Sequence, residues 1–175
     1  PLAARDWLMA VLEPARAGQA DAAAAMLSLT PLMYIADADR DDPALAPVMA
    51  KVLSGWWQGE VANGGVDRYQ RAFRLYGLLT ALGRDLSASL WLPMFEAPSR
   101  DIPQASPALL MGLERAAAAG RRGEAVLLSL LLLGDRGPGL SDTMTLGRVV
   151  SALRQVGLVE DARAMALEGL LGAGF

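Results

Sequence analysis

The chain has 175 residues, of which 53% are hydrophobic, 6% aromatic and 20% charged, with a net charge of −3. One domain suits that length, a core of Leu, Ala, Val and Met suits that composition, and the negative balance argues against nucleic acid as a partner. With no His and no Cys, an imidazole base, a thiolate nucleophile, a disulfide framework and most zinc sites are excluded.

From the N-terminus, residues 3–17 read as a helix with Trp7, Ala10 and Val11 on one face, ended or kinked by Pro14. Residues 19–29 form its partner, with Ala22, Ala25, Met26 and Leu29 inward. Thr30-Pro31 offers an N-cap followed by Pro at the first helical position, starting a short helix to about Ala36. In Asp37-Ala38-Asp39-Arg40-Asp41-Asp42, acids recur at alternate positions, as in a calcium loop. The sixth position, which needs Gly, is Asp42, and the twelfth, which needs Glu, is Val48. The segment reads as a solvated turn, with Asp42 capping a helix from Pro43.

That helix, 43–62, carries Leu45, Val48, Met49, Val52 and Trp56 on one side. Trp57 lies about 100° around from Trp56, so one indole is expected at an edge or groove. Asn63-Gly64-Gly65 ends the helix. Helix 66–82 follows, with Tyr69, Ala72, Phe73, Tyr76 and Leu79 apolar. Arg68, Arg71 and Arg74, spaced three apart, form a basic stripe on another side. It reads as a solvated face, or as a receiver of an acidic partner or anionic ligand.

Helix 85–95 is interrupted by Pro93. Residues 97–106 make a candidate loop between subregions of a single domain spanning 1–175. Helices 107–119 and 122–133 pair around Gly120. The second, with leucines at 127, 128 and 130–133, is apolar almost all round and is expected to be central and covered on several sides. Gly134–Gly139 is a loop to the last hairpin, Ser141–Gly172. There Leu146, Val149, Val150, Leu153 and Val156 share one face. Ala162, Met165, Ala166, Gly169 and Leu170 share another, while Glu160, Asp161, Arg163 and Glu168 point elsewhere.

One pattern recurs. Gly83, Gly120 and Gly157 are 37 residues apart, and each is followed five residues later by Ala88, Ala125 or Ala162. Gly18 and Ala23 repeat the pair. A glycine ends a helix in the left-handed conformation without a Cβ penalty, and a small Ala lets the next helix approach closely. Each Gly-x4-Ala therefore marks the turn of a helical hairpin, and such hairpins bury both faces only by stacking. The expected fold is all-α, an α-solenoid-like array of stacked antiparallel hairpins with about nine or ten helices.

This spacing, with apolar residues eleven, eight and seven positions before the Gly, resembles the tetratricopeptide-like repeats. Trp7 and Val11 stand where that family favours Trp and a small residue. The interval of 37 departs from the family's period of roughly 34. The other copies also lack the Trp and the large aromatics of the second helix. The resemblance implies a non-catalytic scaffold for a protein or peptide partner.

No nucleophile-elbow, Walker or dinucleotide-binding motif occurs, no cofactor or metal is expected, and no apolar stretch reaches the roughly 20 residues of a membrane span. Partner binding is expected from Trp56, Trp57, Arg68, Arg71 and Arg74. The alternative is a carbohydrate- or small-ligand-binding module, or a glycosidase-like enzyme using carboxylates such as Glu60 with Asp67 or Glu96 with Asp101. Fifteen of 16 basic residues are Arg, which reads as the bias of a GC-rich bacterial genome. Lack of Cys fits cytoplasm or periplasm alike. The start at Pro1 suggests that a segment upstream was removed. Nothing in the sequence sets an oligomeric state.

Overall fold

A computed structural model describes residues 31–36, 46–64, 67–98 and 105–175. The expected helices at 3–17 and 19–29 and the acidic turn at 37–42 lie outside the described residues. Among the described residues there is no strand. Eight helices have defined bounds: α1 (Ala46–Ala62), α2 (Arg68–Ala81), α3 (Ala88–Trp91), α4 (Pro107–Ala118), α5 (Arg122–Leu133), α6 (Gly137–Leu140), α7 (Thr143–Gln155) and α8 (Val159–Leu171). A further helical run covers 31–36 and starts at Pro31, as expected of a Pro at the first helical position.

The three spaced glycines end α2, α4 and α7 in the same way. Gly83, Gly120 and Gly157 have φ of +85°, +67° and +82°. The glycine N–H donates to the carbonyls of Thr80, Ala117 and Arg154 respectively, at 2.8, 3.0 and 3.0 Å. The next N–H, of Arg84, Arg121 or Leu158, reaches back to Leu79, Ala116 or Leu153, at 2.9 Å each. These paired bonds satisfy carbonyls that the helix leaves orphaned, and they require a left-handed residue at the turn. The first helices also share a core register. Tyr76, Leu113 and Val150, each 37 positions from the last, are all fully buried.

The second helices share less. Ala125 and Ala162 are each the fourth residue of their helices, α5 and α8, and both are fully buried. Ala88 is exposed and is the first residue of α3, because residues 84–87 take no helical turn. Pro93 then converts the chain to a 3-10 turn at Leu92–Glu96. The glycine-rich stretch 134–139, expected as a loop, is instead a 3-10 turn followed by the short helix α6.

The chain divides into two compact units, Pro1–Arg68 and Tyr69–Phe175. The division falls at 68/69, whereas the sequence suggested a loop at 97–106. Residues 99–104 lie outside the described residues. In the first unit, α1 buries Met49, Leu53, Trp56 and Trp57, while Val48, expected inward, is exposed. In the second unit, α4 packs on α5 and on α7, α5 also packs on α7, and α7 pairs with α8, which α6 crosses. Core residues from these elements include Leu113, Ala116, Leu146, Val149, Val150 and Leu170.

Two expectations for this unit are corrected. Arg163 does not point away: its side chain is buried and donates to Glu160 at 2.7 Å. Helix α5 is not covered on several sides, since Leu127, Leu130 and Leu131 are 58%, 60% and 56% exposed. Its buried face is narrower and runs through Ala125, Ser129 and Leu133.

Candidate functional site

Of the residues singled out by the sequence, Trp56 and Trp57 lie on α1, and both are buried, Trp57 with 8% exposure. The expectation that one indole sits at an edge is therefore corrected. In this structure neither ring is offered for stacking on a sugar or a peptide. Adjacent helical positions diverge by about 100°, so burial of both means that α1 is covered over a wide arc.

The basic stripe resolves into parts with different work. Arg68 opens α2 and is half-buried. Arg71 donates from Nη1 to the Gly174 carbonyl at 3.0 Å, and its guanidinium carbon sits 4.7 Å from the centre of the Phe175 ring. Cation and ring face attract each other in that geometry.

Arg74 is drawn further inward. Its Nη1 donates to the carbonyls of Gly169 at 2.8 Å and Gly139 at 3.1 Å, with Pro138 at 3.5 Å, and its Nη2 donates to Ser141. The guanidinium thus ties the α6 turn to the last turn of α8, where carbonyls point outward and the helix dipole is negative. Burial pushes its pKa below the ordinary arginine value, partly opposed by the Asp142 carboxylate. Asp142 in turn caps α7, accepting from the Thr145 N–H at 2.9 Å. Planar, five-donor arginine suits several fixed carbonyls at once.

Glycines make this junction possible. A Cβ on Gly172 would stand 2.5 Å from the Gly139 Cα, and one on Gly169 would collide with Leu146. Arg74 is therefore an internal clasp, which corrects its assignment to a solvated or anion-receiving stripe.

A different surface remains open in the second unit, along the first helices of the two hairpins. Met111 on α4 and Met144 on α7 are 64% and 69% exposed. Glu114, one turn beyond Met111, pairs with Arg148, one turn beyond Met144. This pair bridges α4 and α7, and each exposed methionine stands one turn before its member of the pair. Arg115, Arg154 and Gln155 are exposed nearby in sequence on the same helices. Sequence reasoning missed the methionines because Met111 stands inside the apolar run Leu109–Leu113 and Met144 between two threonines, so no local pattern marks either as exposed. What relates their helices is tertiary, the packing of α4 on α7.

No group of three His, Cys, Asp or Glu side chains is close enough to hold a metal among the described residues. Asp67 and Glu96 are exposed and Glu60 is half-buried, while Asp101 lies outside the described residues. No described helix is long and apolar enough to cross a membrane. No family model, curated protein or solved structure matches the chain.

Proposed function

We propose that the chain is a non-catalytic helical-repeat scaffold of tetratricopeptide-like design, and that it binds a protein or peptide along the first helices of its hairpins. The observation that carries the reading is the Met111–Glu114–Arg148–Met144 face on α4 and α7. Flexible, polarisable methionines adapt to an apolar partner side chain, and the flanking ions fix its register. The partner's matching chemistry is an apolar-anchored segment with mixed charge; nucleic acid is disfavoured by the net charge of −3. Support also comes from the equivalent turns at Gly120 and Gly157, 37 residues apart, which set two hairpins in one register. Capture of partners from the source cell by wild-type protein and by the Met111→Asp, Met144→Asp double variant tests this reading. Loss of a captured protein at unchanged thermal stability is expected. Undiminished capture removes this face from the account.

A further inference from the structure

Sulfur in this chain is thioether alone, with eight Met and no Cys. An oxidant that would attack a thiolate elsewhere finds only methionine sulfur here. The described methionines divide by access. Met49 and Met94 are buried, Met33 and Met165 are half-buried, and Met111 and Met144 are exposed.

The two exposed sulfurs share a setting. Each methionine stands one turn before a member of the Glu114–Arg148 pair that joins α4 to α7. Positions three and four apart on a helix are neighbours, so Met111 neighbours Glu114 and Met144 neighbours Arg148. Every other exposed large aliphatic side chain described in the second unit is leucine, as at Leu92, Leu127 and Leu140. Leucine offers comparable apolar area and is inert to peroxide. What a thioether adds is reversible two-electron oxidation.

We propose that Met111 and Met144 form a redox switch on the α4–α7 surface, turned off by a peroxide-class oxidant and restored by a dithiol reductant. The thioether lone pair attacks one oxygen of hydrogen peroxide and the O–O bond breaks. Sulfur gives up two electrons and keeps that oxygen as a sulfoxide, while the other oxygen leaves as water. In the reverse step two thiols supply two electrons and two protons and become a disulfide, and the sulfoxide oxygen leaves as water.

The sulfoxide is a polar acceptor on what was an apolar anchor. Covered by an apolar partner side chain, its oxygen is left without a donor. At position 144 that oxygen also stands one turn from the Arg148 guanidinium and competes with Glu114 for it. Both effects act at the surface, because Met49 and Met94 are sheltered in the core. The switch rests on the partner-binding reading of α4 and α7; the order in which the methionines oxidise does not.

Dilute hydrogen peroxide followed by peptide mass spectrometry tests the sites on the protein alone. Met111 and Met144 are expected to oxidise at least about tenfold faster than Met49 and Met94, with an unchanged circular dichroism spectrum. Both are expected to return to thioether with a methionine sulfoxide reductase and dithiothreitol. Comparable rates at all four positions, or unfolding on oxidation of the first two, would overturn the proposal. Capture from source-cell extract, after removal of the peroxide, tests the consequence. Wild-type capture is expected to fall about tenfold on oxidation, the equivalent of about 1.4 kcal/mol, and to recover on reduction. The Met111→Leu, Met144→Leu double variant is expected to capture the same protein before and after peroxide. Wild-type capture that survives oxidation, or a loss equally large in the leucine variant, overturns the switch and leaves the scaffold reading standing. Untreated wild type that captures nothing fails the scaffold reading, and the switch with it.

Discussion

Arg74 on α2 donates to the carbonyl of Gly169, 95 positions later in the last turn of α8, at 2.8 Å. The same guanidinium holds Gly139 and Ser141, so one side chain fastens three backbone segments that no backbone ladder joins. Arg74→Met leaves half-buried carbonyls without their charged donor and is expected to destabilise the fold by about 3 kcal/mol. Arg74→Lys keeps the charge but loses the planar fork, and about half that cost is expected. Urea denaturation of the three proteins checks the order.

The turn glycines divide into two mechanisms, which substitution separates. A Cβ on Gly120 meets nothing within 4 Å, so Gly120→Ala suffers only the left-handed backbone at φ +67°, a penalty of about 1 kcal/mol. Gly172 has an ordinary φ of −66°, but its Cβ would press on the Gly139 backbone. Backbone yields less readily than a side chain, and Gly172→Ala is expected to cost about 2 kcal/mol. Thermal denaturation should rank Gly172→Ala below Gly120→Ala.

Tyr76 gives the fold an alkaline limit. Its ring meets Trp91 edge-on, with centroids 5.6 Å apart and planes at 75°. Burial pushes its phenol up from 10.0 to about 12. Since the folded value is raised, the unfolded chain loses the proton first. The contribution is fully present below pH 10.0 and is lost as pH rises towards about 12. A Tyr76→Phe variant is expected to show a shallower fall in stability across that window, measured against wild type by chemical denaturation.

Helix limits were legible where a local device sets them. Gly120 and Gly157 bracket their turns, Pro93 breaks the helix into a 3-10 turn, and the expected span 122–133 of α5 matches the observed one. What local pattern misses is tertiary. The targets of Arg74 lie 64 to 95 residues away, so its spacing from Arg68 and Arg71 resembled a solvated stripe. A usable signal did exist: Gly137-Pro138-Gly139 and Gly169/Gly172 are small residues suited to a close backbone crossing, and such a crossing needs a donor for its carbonyls. Helix α5 misled in the opposite way. Its leucines all round announced burial, yet hydrophobicity says only that a face favours cover, not that this chain supplies the cover. Trp56 and Trp57 show that divergent directions on a helix still permit burial of both when the covered arc is wide.

The most direct measurement for the scaffold reading is site-specific photocross-linking in the source cell. A benzophenone side chain is placed at Met111, at Met144 or, as a control on the outer face of α8, at Ala164. The account predicts one shared adduct from the two methionine positions and none from Ala164. Absence of any adduct at Met111 and Met144, or the same adduct from Ala164, would contradict it.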